Sequence, residues 1–182
     1  MNFTQSLVTS LSVLTVVGQI ISVLIGILLL STPRATEKPS LRWLSRHGLS
    51  LMLITAVLAT AGSLYFSEVA GWTPCKLCWL QRIFMYPQVV LLALAIWKND
   101  RGIAPYILAL SVIGLAIAAF HYSEQVMAVL NPVDFDSNVP CDTSGTSCRS
   151  TPFFHFGYIT IPMMAFTAFL LNILGSLVVI RR

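Results

Sequence analysis

Five long apolar stretches separated by polar connections run along the chain, at residues 7–30, 49–66, 79–97, 103–129 and 157–180. A helix needs about 20 apolar residues to cross a hydrocarbon core, so each stretch predicts a transmembrane helix. The fourth is longer than a span requires, which predicts tilt or a helical extension into the next connection. The third is among the shortest and contains Arg82 and Pro87, so it carries the weakest hydropathy signal. In the first, Gly18, Ser22 and Gly26 recur every four residues and place small side chains on one face, where another helix can approach closely. Its flank "MNFTQSLVTS" lacks a charged side chain, and its apolar run exceeds the roughly 7 to 15 residues of a cleaved signal peptide's core, so it is expected to stay as a helix. The pattern predicts one helical bundle, an all-α integral membrane protein with no soluble domain or repeat.

Composition agrees: 56% of the 182 residues are hydrophobic and 10% charged, against roughly 25% charge in soluble domains. The basic residues then assign sides, because cytoplasmic loops hold the Lys and Arg excess. Arg34, Lys38, Arg42, Arg46, Lys98, Arg101, Arg181 and Arg182 fall on one side of the predicted topology, and only Lys76, Arg82 and Arg149 on the other. The N-terminus is therefore expected outside and the C-terminus in the cytoplasm. The net charge of +4 expresses topology, and no basic face interleaved with aromatics argues for nucleic acid.

All four cysteines lie in or beside the two connections expected outside, where disulfides persist. Cys75 and Cys78 form a C-x-x-C after Pro74 at the start of the third helix, where unpaired N–H groups and the helix dipole favour thiolate. Arg82 follows Cys78 by four residues, one turn along the same face, where it can stabilise that thiolate or anchor at the interface. Trp79 and Tyr86 fit an aromatic belt or a cofactor wall equally. Cys141 and Cys148 bracket "CDTSGTSC", a flexible loop able to close into a disulfide. Three readings follow: a redox relay, two structural staples, or a four-thiolate zinc site. An oxidising compartment and the wide second spacing disfavour zinc. No nucleophile and base stand at hydrolase spacing. His47 is expected in the inner loop and His155 at the interface, while His121 faces the bundle or simply fills its interior.

"SLYFSE", "PCKLCWLQRIFMYP", "HYSEQ", the paired-cysteine loop and "FGYITIPMMAF" together resemble the DsbB/BdbC family of membrane disulfide-bond formation proteins, nearest its short-loop BdbC branch. The resemblance covers about residues 49–180. It implies a four-helix bundle over 49–182, in a bacterial cell membrane, preceded here by an additional helix and basic loop over 1–48 whose role is unassigned. It implies a quinone cofactor, ubiquinone or menaquinone, and an extracytoplasmic partner, a DsbA/BdbD-like thioredoxin-fold thiol oxidase. Carried over by motif, Cys141 forms the mixed disulfide with the partner, Cys148 exchanges with Cys75, and Cys78 contacts the quinone with Arg82 stabilising the charged state. A His commonly follows the Glu of the third bundle helix in the DsbB branch. Gln125 follows Glu124 here and the nearest His is His121, one turn earlier, so His121 and Gln125 are the candidates for a second quinone contact. The binding-class alternative is a membrane scaffold or receptor with stapled or zinc-clipped outer loops.

Overall fold

A computed structural model describes residues 3–31, 39–131 and 147–181 of the chain. Its helices are α1 (Phe3–Ser31), α2 (Pro39–Leu64, continued by a wider π turn, Tyr65–Val69), α3 (Lys76–Lys98), α4 (Ala104–Leu130, preceded by a 3-10 turn, Arg101–Ile103) and α5 (Ile161–Ile180). All five are long and apolar enough to cross a membrane. Arg34, Lys38, Asp134, Asp136, Cys141, Asp142 and Arg182 lie outside the described residues.

Local chemistry sets the boundaries. Proline occupies the first turn of α2, α4 and α5, where its missing N–H costs nothing. The α3–α4 turn is written in "KND": Asn99 takes the left-handed conformation (φ 52°) that ends many helices, and the Asp100 carboxylate accepts from the Gly102 N–H at 2.8 Å. Two boundaries differ from the hydropathy reading. α2 begins ten residues before residue 49, because Leu41, Ser45 and Gly48 are buried at helical spacing beneath exposed Arg42 and Arg46; hydropathy averages over a stripe that periodicity reveals. His47 is thus helical but exposed, its ring against Trp43. α5 begins at Ile161, not Gly157, because Phe156 (φ 51°) and Gly157 (φ 79°) form a tight turn closed by paired backbone bonds between His155 and Ile159, 2.9 Å each.

α5 is the central helix, packed on α4, α2 and α1, while α3 bridges α2 and α4. Helices in lipid associate through close packing and internal hydrogen bonds, since lipid is as apolar as their side chains. Both appear here. The fully buried Phe169 ring of α5 lies on Gly114 of α4, where a Cβ would stand 2.3 Å from the ring. Beside it Gln88 Oε1 of α3 accepts from Asn172 Nδ2 of α5 (2.8 Å) and Ser111 Oγ of α4 (3.2 Å), tying three helices through one side chain just past Pro87.

The additional helix lies against α5. Its buried face is Val8, Ser12, Thr15, Gly18, Ser22, Ile25 and Leu29. The close approach is at Gly18, where a Cβ would meet Thr167 at 3.1 Å and Leu171 at 3.2 Å; Gly26 has open space and takes no part. Polar bonds pin this helix along its length: Thr4 with Tyr65 (3.0 Å), Gln19 Oε1 from Tyr158 (2.8 Å) and the Leu29 carbonyl from Arg181 (2.8 Å).

Replacing Gly114 with Val is expected to displace Phe169 and destabilise the bundle by about 1–3 kcal/mol. Thermal unfolding in detergent reads this as a lowered midpoint; an unchanged midpoint would contradict the α4–α5 packing.

Candidate functional site

The end of the bundle that carries the described cysteines is built from the close of α2, the start of α3, the close of α4 and the segment before α5. The π turn at Tyr65–Val69 directs Phe66 inward, where its ring stacks on Trp72 at 4.9 Å; both lie against Phe153. Cys75 then stands at the N-cap of α3, extended rather than helical (ψ 173°), and Cys78 lies in its first turn. Cys75 and Cys78 carry free thiols.

Cys75 Sγ donates to Cys78 Sγ at 3.5 Å, and Cys78 Sγ also accepts from the Cys75 backbone N–H. The backbone bond is one half of a helix-start capping box, made here with sulfur; the Cys75 side chain caps no backbone N–H and turns to the Cys78 sulfur instead. The bond to Cys78 and burial together push the Cys75 thiol up to about 12, so Cys75 keeps its proton at neutral pH.

His121 sits where α3 and α4 converge and is almost fully buried. Gln81 Nε2 stands 2.9 Å from its Nδ1. An amide nitrogen only donates, so Nδ1 accepts and the proton resides on Nε2. From there it donates to the Cys148 carbonyl at 3.1 Å, with Cys75 Sγ 3.6 Å away. One imidazole therefore touches the C-x-x-C and the cysteine loop. Glu124 and Gln125, three and four residues later and so on the same helix face, extend the grip: Glu124 pairs with Arg149 at 3.1 Å and Gln125 Nε2 donates to the Ser150 carbonyl at 3.2 Å. "HYSEQ" thus clamps residues 148–150 onto α4. His121 and Gln125 also line the cavity below.

Arg82 is buried and turned toward α2. Its Nε and Nη2 donate to Ser63 Oγ and the Ser63 carbonyl, both at 3.0 Å, and Tyr86 donates to the same Oγ at 3.2 Å. The Trp79 ring lies 5.0 Å from the guanidinium carbon, within cation–π range. Arg82 is thus a cross-helix tie and not a snorkelling anchor.

A cavity of about 370 Å³ opens between α1, α2, α3 and α5, with Cys75, Cys78, Arg82 and Tyr86 at one end. Leu11, Leu14, Gly18 and Ile21 of α1 form part of its wall. Its walls are chiefly apolar, and its size suits a small-molecule ligand. The structure brings together Cys75, Cys78, Cys148, Arg82, His121 and Gln125 of the residues singled out from sequence; Cys141 lies outside the described residues. Gln81 and Ser63 are additions. A glutamine beside the arginine in "WLQR" was a readable polar intrusion into an apolar helix, whereas Ser63 had no distinguishing signal.

A sequence model of the family described as "Disulfide bond formation protein DsbB" matches residues 45–179. The chain is 41% identical over 121 residues to "Disulfide bond formation protein C" of Bacillus subtilis strain 168, covering 66% of this chain and 83% of that relative. It is 41% identical over 128 residues to a "Probable disulfide formation protein C" of Halalkalibacterium halodurans, covering 70% and 89%. A "Probable disulfide formation protein" of Metapseudomonas resinovorans is 37% identical over 136 residues, covering 73% and 90%. No solved structure matches the chain significantly.

Because thiolate is the reactive species, alkylation of Cys75 in the reduced chain should be slow at neutral pH. It should then rise roughly tenfold per pH unit beyond the point, about pH 9, where an ordinary thiol levels off. Peptide mapping by mass spectrometry across that range checks this; a plateau near pH 9 would contradict the hydrogen-bonded, buried thiol.

Proposed function

The chain belongs to the DsbB family of disulfide bond formation proteins, and on that premise we propose that it oxidises an extracytoplasmic thioredoxin-fold thiol oxidase and delivers the electrons to a membrane quinone. It is a multi-pass membrane protein, and the family carries out thiol oxidoreductase chemistry. The observation that supports the finer reading most is the shared location of the C-x-x-C, the buried Arg82 and the apolar cavity.

The residues fit a quinone. Its carbonyl oxygens need donors, and Arg82 Nη1 has no hydrogen-bond partner among the described residues. Its reduced form carries hydroxyls that need acceptors, and Gln125 Oε1 is buried without a partner among the described residues. Arg82 and Gln125 would hold the ring, with Cys78 lining the same cavity and α1 walling it. A bound quinone would supply an acceptor for two electrons and two protons.

The protein's own steps are two disulfide exchanges. The partner's dithiol reduces the Cys141–Cys148 disulfide: a mixed disulfide with Cys141 forms, its resolution leaves the partner oxidised, and the loop becomes a dithiol. Cys148 then attacks the Cys75–Cys78 disulfide at Cys75, and resolution by Cys141 restores the loop disulfide and leaves the C-x-x-C reduced. Two electrons move inward and every broken S–S bond is matched by one formed. Flow requires the C-x-x-C to be the more oxidising pair or to be reoxidised rapidly. His121 positions Cys148 for this exchange through the loop carbonyl, and Cys78 is the sulfur on which the Cys75 thiol and backbone N–H converge. Arg42, Arg46, Lys98, Arg101 and Arg181 belong to the end opposite the cysteines, where Arg101 reaches the Ser45 carbonyl and Arg181 the Leu29 carbonyl. By the positive-inside rule that end is cytoplasmic, so the cysteines face the oxidising side.

Purified protein in detergent, given a reduced thioredoxin-fold oxidase and a quinone whose absorbance is followed, should turn over. Cys78→Ser should abolish turnover and Arg82→Ala lower it by about 10- to 100-fold. No turnover by wild type with both disulfides intact would overturn the reading and favour a stapled scaffold.

A further inference from the structure

The reduced C-x-x-C and His121 have the geometry of a metal site. Cys75 Sγ, Cys78 Sγ and one ring nitrogen of His121 all lie within 4.8 Å of one another. Cys75 Sγ is 3.5 Å from Cys78 Sγ and 3.6 Å from His121 Nε2. A tetrahedral zinc ion with Zn–S about 2.3 Å and Zn–N about 2.0 Å sets its sulfurs ~3.8 Å apart and sulfur and nitrogen ~3.5 Å apart. The two edges that meet at Cys75 Sγ therefore stand within a few tenths of an ångström of those of a zinc tetrahedron, and the third, from Cys78 Sγ to the imidazole, is at most 4.8 Å and closes by a small side-chain rotation. This set differs from the four-thiolate arrangement that spacing alone offers, because an imidazole from α4 takes the place of the loop pair.

We propose that Cys75, Cys78 and His121 form a zinc site that exists only while the C-x-x-C is reduced. Binding deprotonates both thiols and releases two protons to solvent, and no electron moves. Two thiolates and a neutral imidazole around Zn²⁺ carry no net charge, so the complex escapes the penalty that burial places on an unpaired ion. Zinc ligands need an orienting partner on the far ring nitrogen, and Gln81 occupies that place, 2.9 Å from Nδ1. A half-turn of its amide presents Oε1 to an Nδ1–H and frees the Nε2 lone pair for the metal. Nε2 then gives up the Cys148 carbonyl, so zinc occupancy loosens the loop clamp while it masks both sulfurs. The fourth position opens toward the cavity that Cys75, Cys78 and His121 all line. A Cys75–Cys78 disulfide removes both thiolate ligands, so oxidation expels the metal. The site thus makes zinc an inhibitor of the reduced form alone.

The inference rests on the reduced site and not on the quinone reading, and its test reads metal binding directly. Full-length protein in detergent, reduced with a phosphine under anaerobic conditions, is titrated with Co²⁺ as a spectroscopic stand-in for Zn²⁺. One Co²⁺ per chain should bind with thiolate-to-cobalt charge-transfer absorption and the d–d bands of tetrahedral geometry, and Zn²⁺ should displace it. The chain oxidised at the C-x-x-C should show neither. Gln81→Leu should weaken binding by about 10- to 100-fold, and His121→Ala by more. Equal binding by oxidised and reduced chains, or unchanged affinity in His121→Ala, would overturn the site. Should His121→Ala fail to fold, zinc-edge X-ray absorption on the wild type decides: two or three sulfurs with a nitrogen support the site, and four sulfurs or a shell of oxygens overturns it.

Discussion

The site depends on one buried imidazole. His121 is held from one side by Gln81 and reaches from the other to the Cys148 carbonyl, with the Cys75 sulfur alongside. These contacts join α3, α4 and the segment before α5, so a single ring sets the distance between the C-x-x-C and the second cysteine loop. A buried polar group in an apolar setting is costly unless its bonds are met, and here each ring nitrogen has a partner. Glu124 and Gln125 repeat the grip one turn on, so the loop is fastened at three consecutive residues, 148 to 150.

The same economy appears deeper in the bundle. Arg82 on Ser63, and Gln88 with Asn172 and Ser111, satisfy polar side chains inside the protein and tie helices that lipid alone would not drive together. Close packing at Gly114 and Gly18 supplies the remaining cohesion. α1 belongs to this design although it lies outside the residues matched by the family: it packs on α5 and completes a wall of the cavity.

Much of this was legible in the chain. Five spans follow from hydropathy, and the α3–α4 turn from "KND". The C-x-x-C at a helix start and Arg82 one turn behind it follow from spacing. Two kinds of feature were not legible. Hydropathy misplaced the start of α2 because Arg42 and Arg46 conceal the buried stripe of Leu41, Ser45 and Gly48, and it carried α5 into a turn that Phe156 and Gly157 form. Partnerships between helices were also hidden: nothing local to Ser63, Gln81 or Asn172 says which residue far away in sequence each will meet. "HYSEQ" shows the difference between pattern and contact. Its i, i+3, i+4 spacing marks one face of a helix, but only the fold reveals that the face holds the cysteine loop.

The central claim is that His121 keeps Cys148 within exchange distance of Cys75. The most direct measurement is disulfide mapping by mass spectrometry of a chain carrying Cys78→Ser and Cys141→Ser, oxidised mildly in detergent. The account predicts an intramolecular Cys75–Cys148 disulfide in most molecules, and its slower formation when His121→Ala is added. Two thiols that stay free, or that link only between chains, would contradict it.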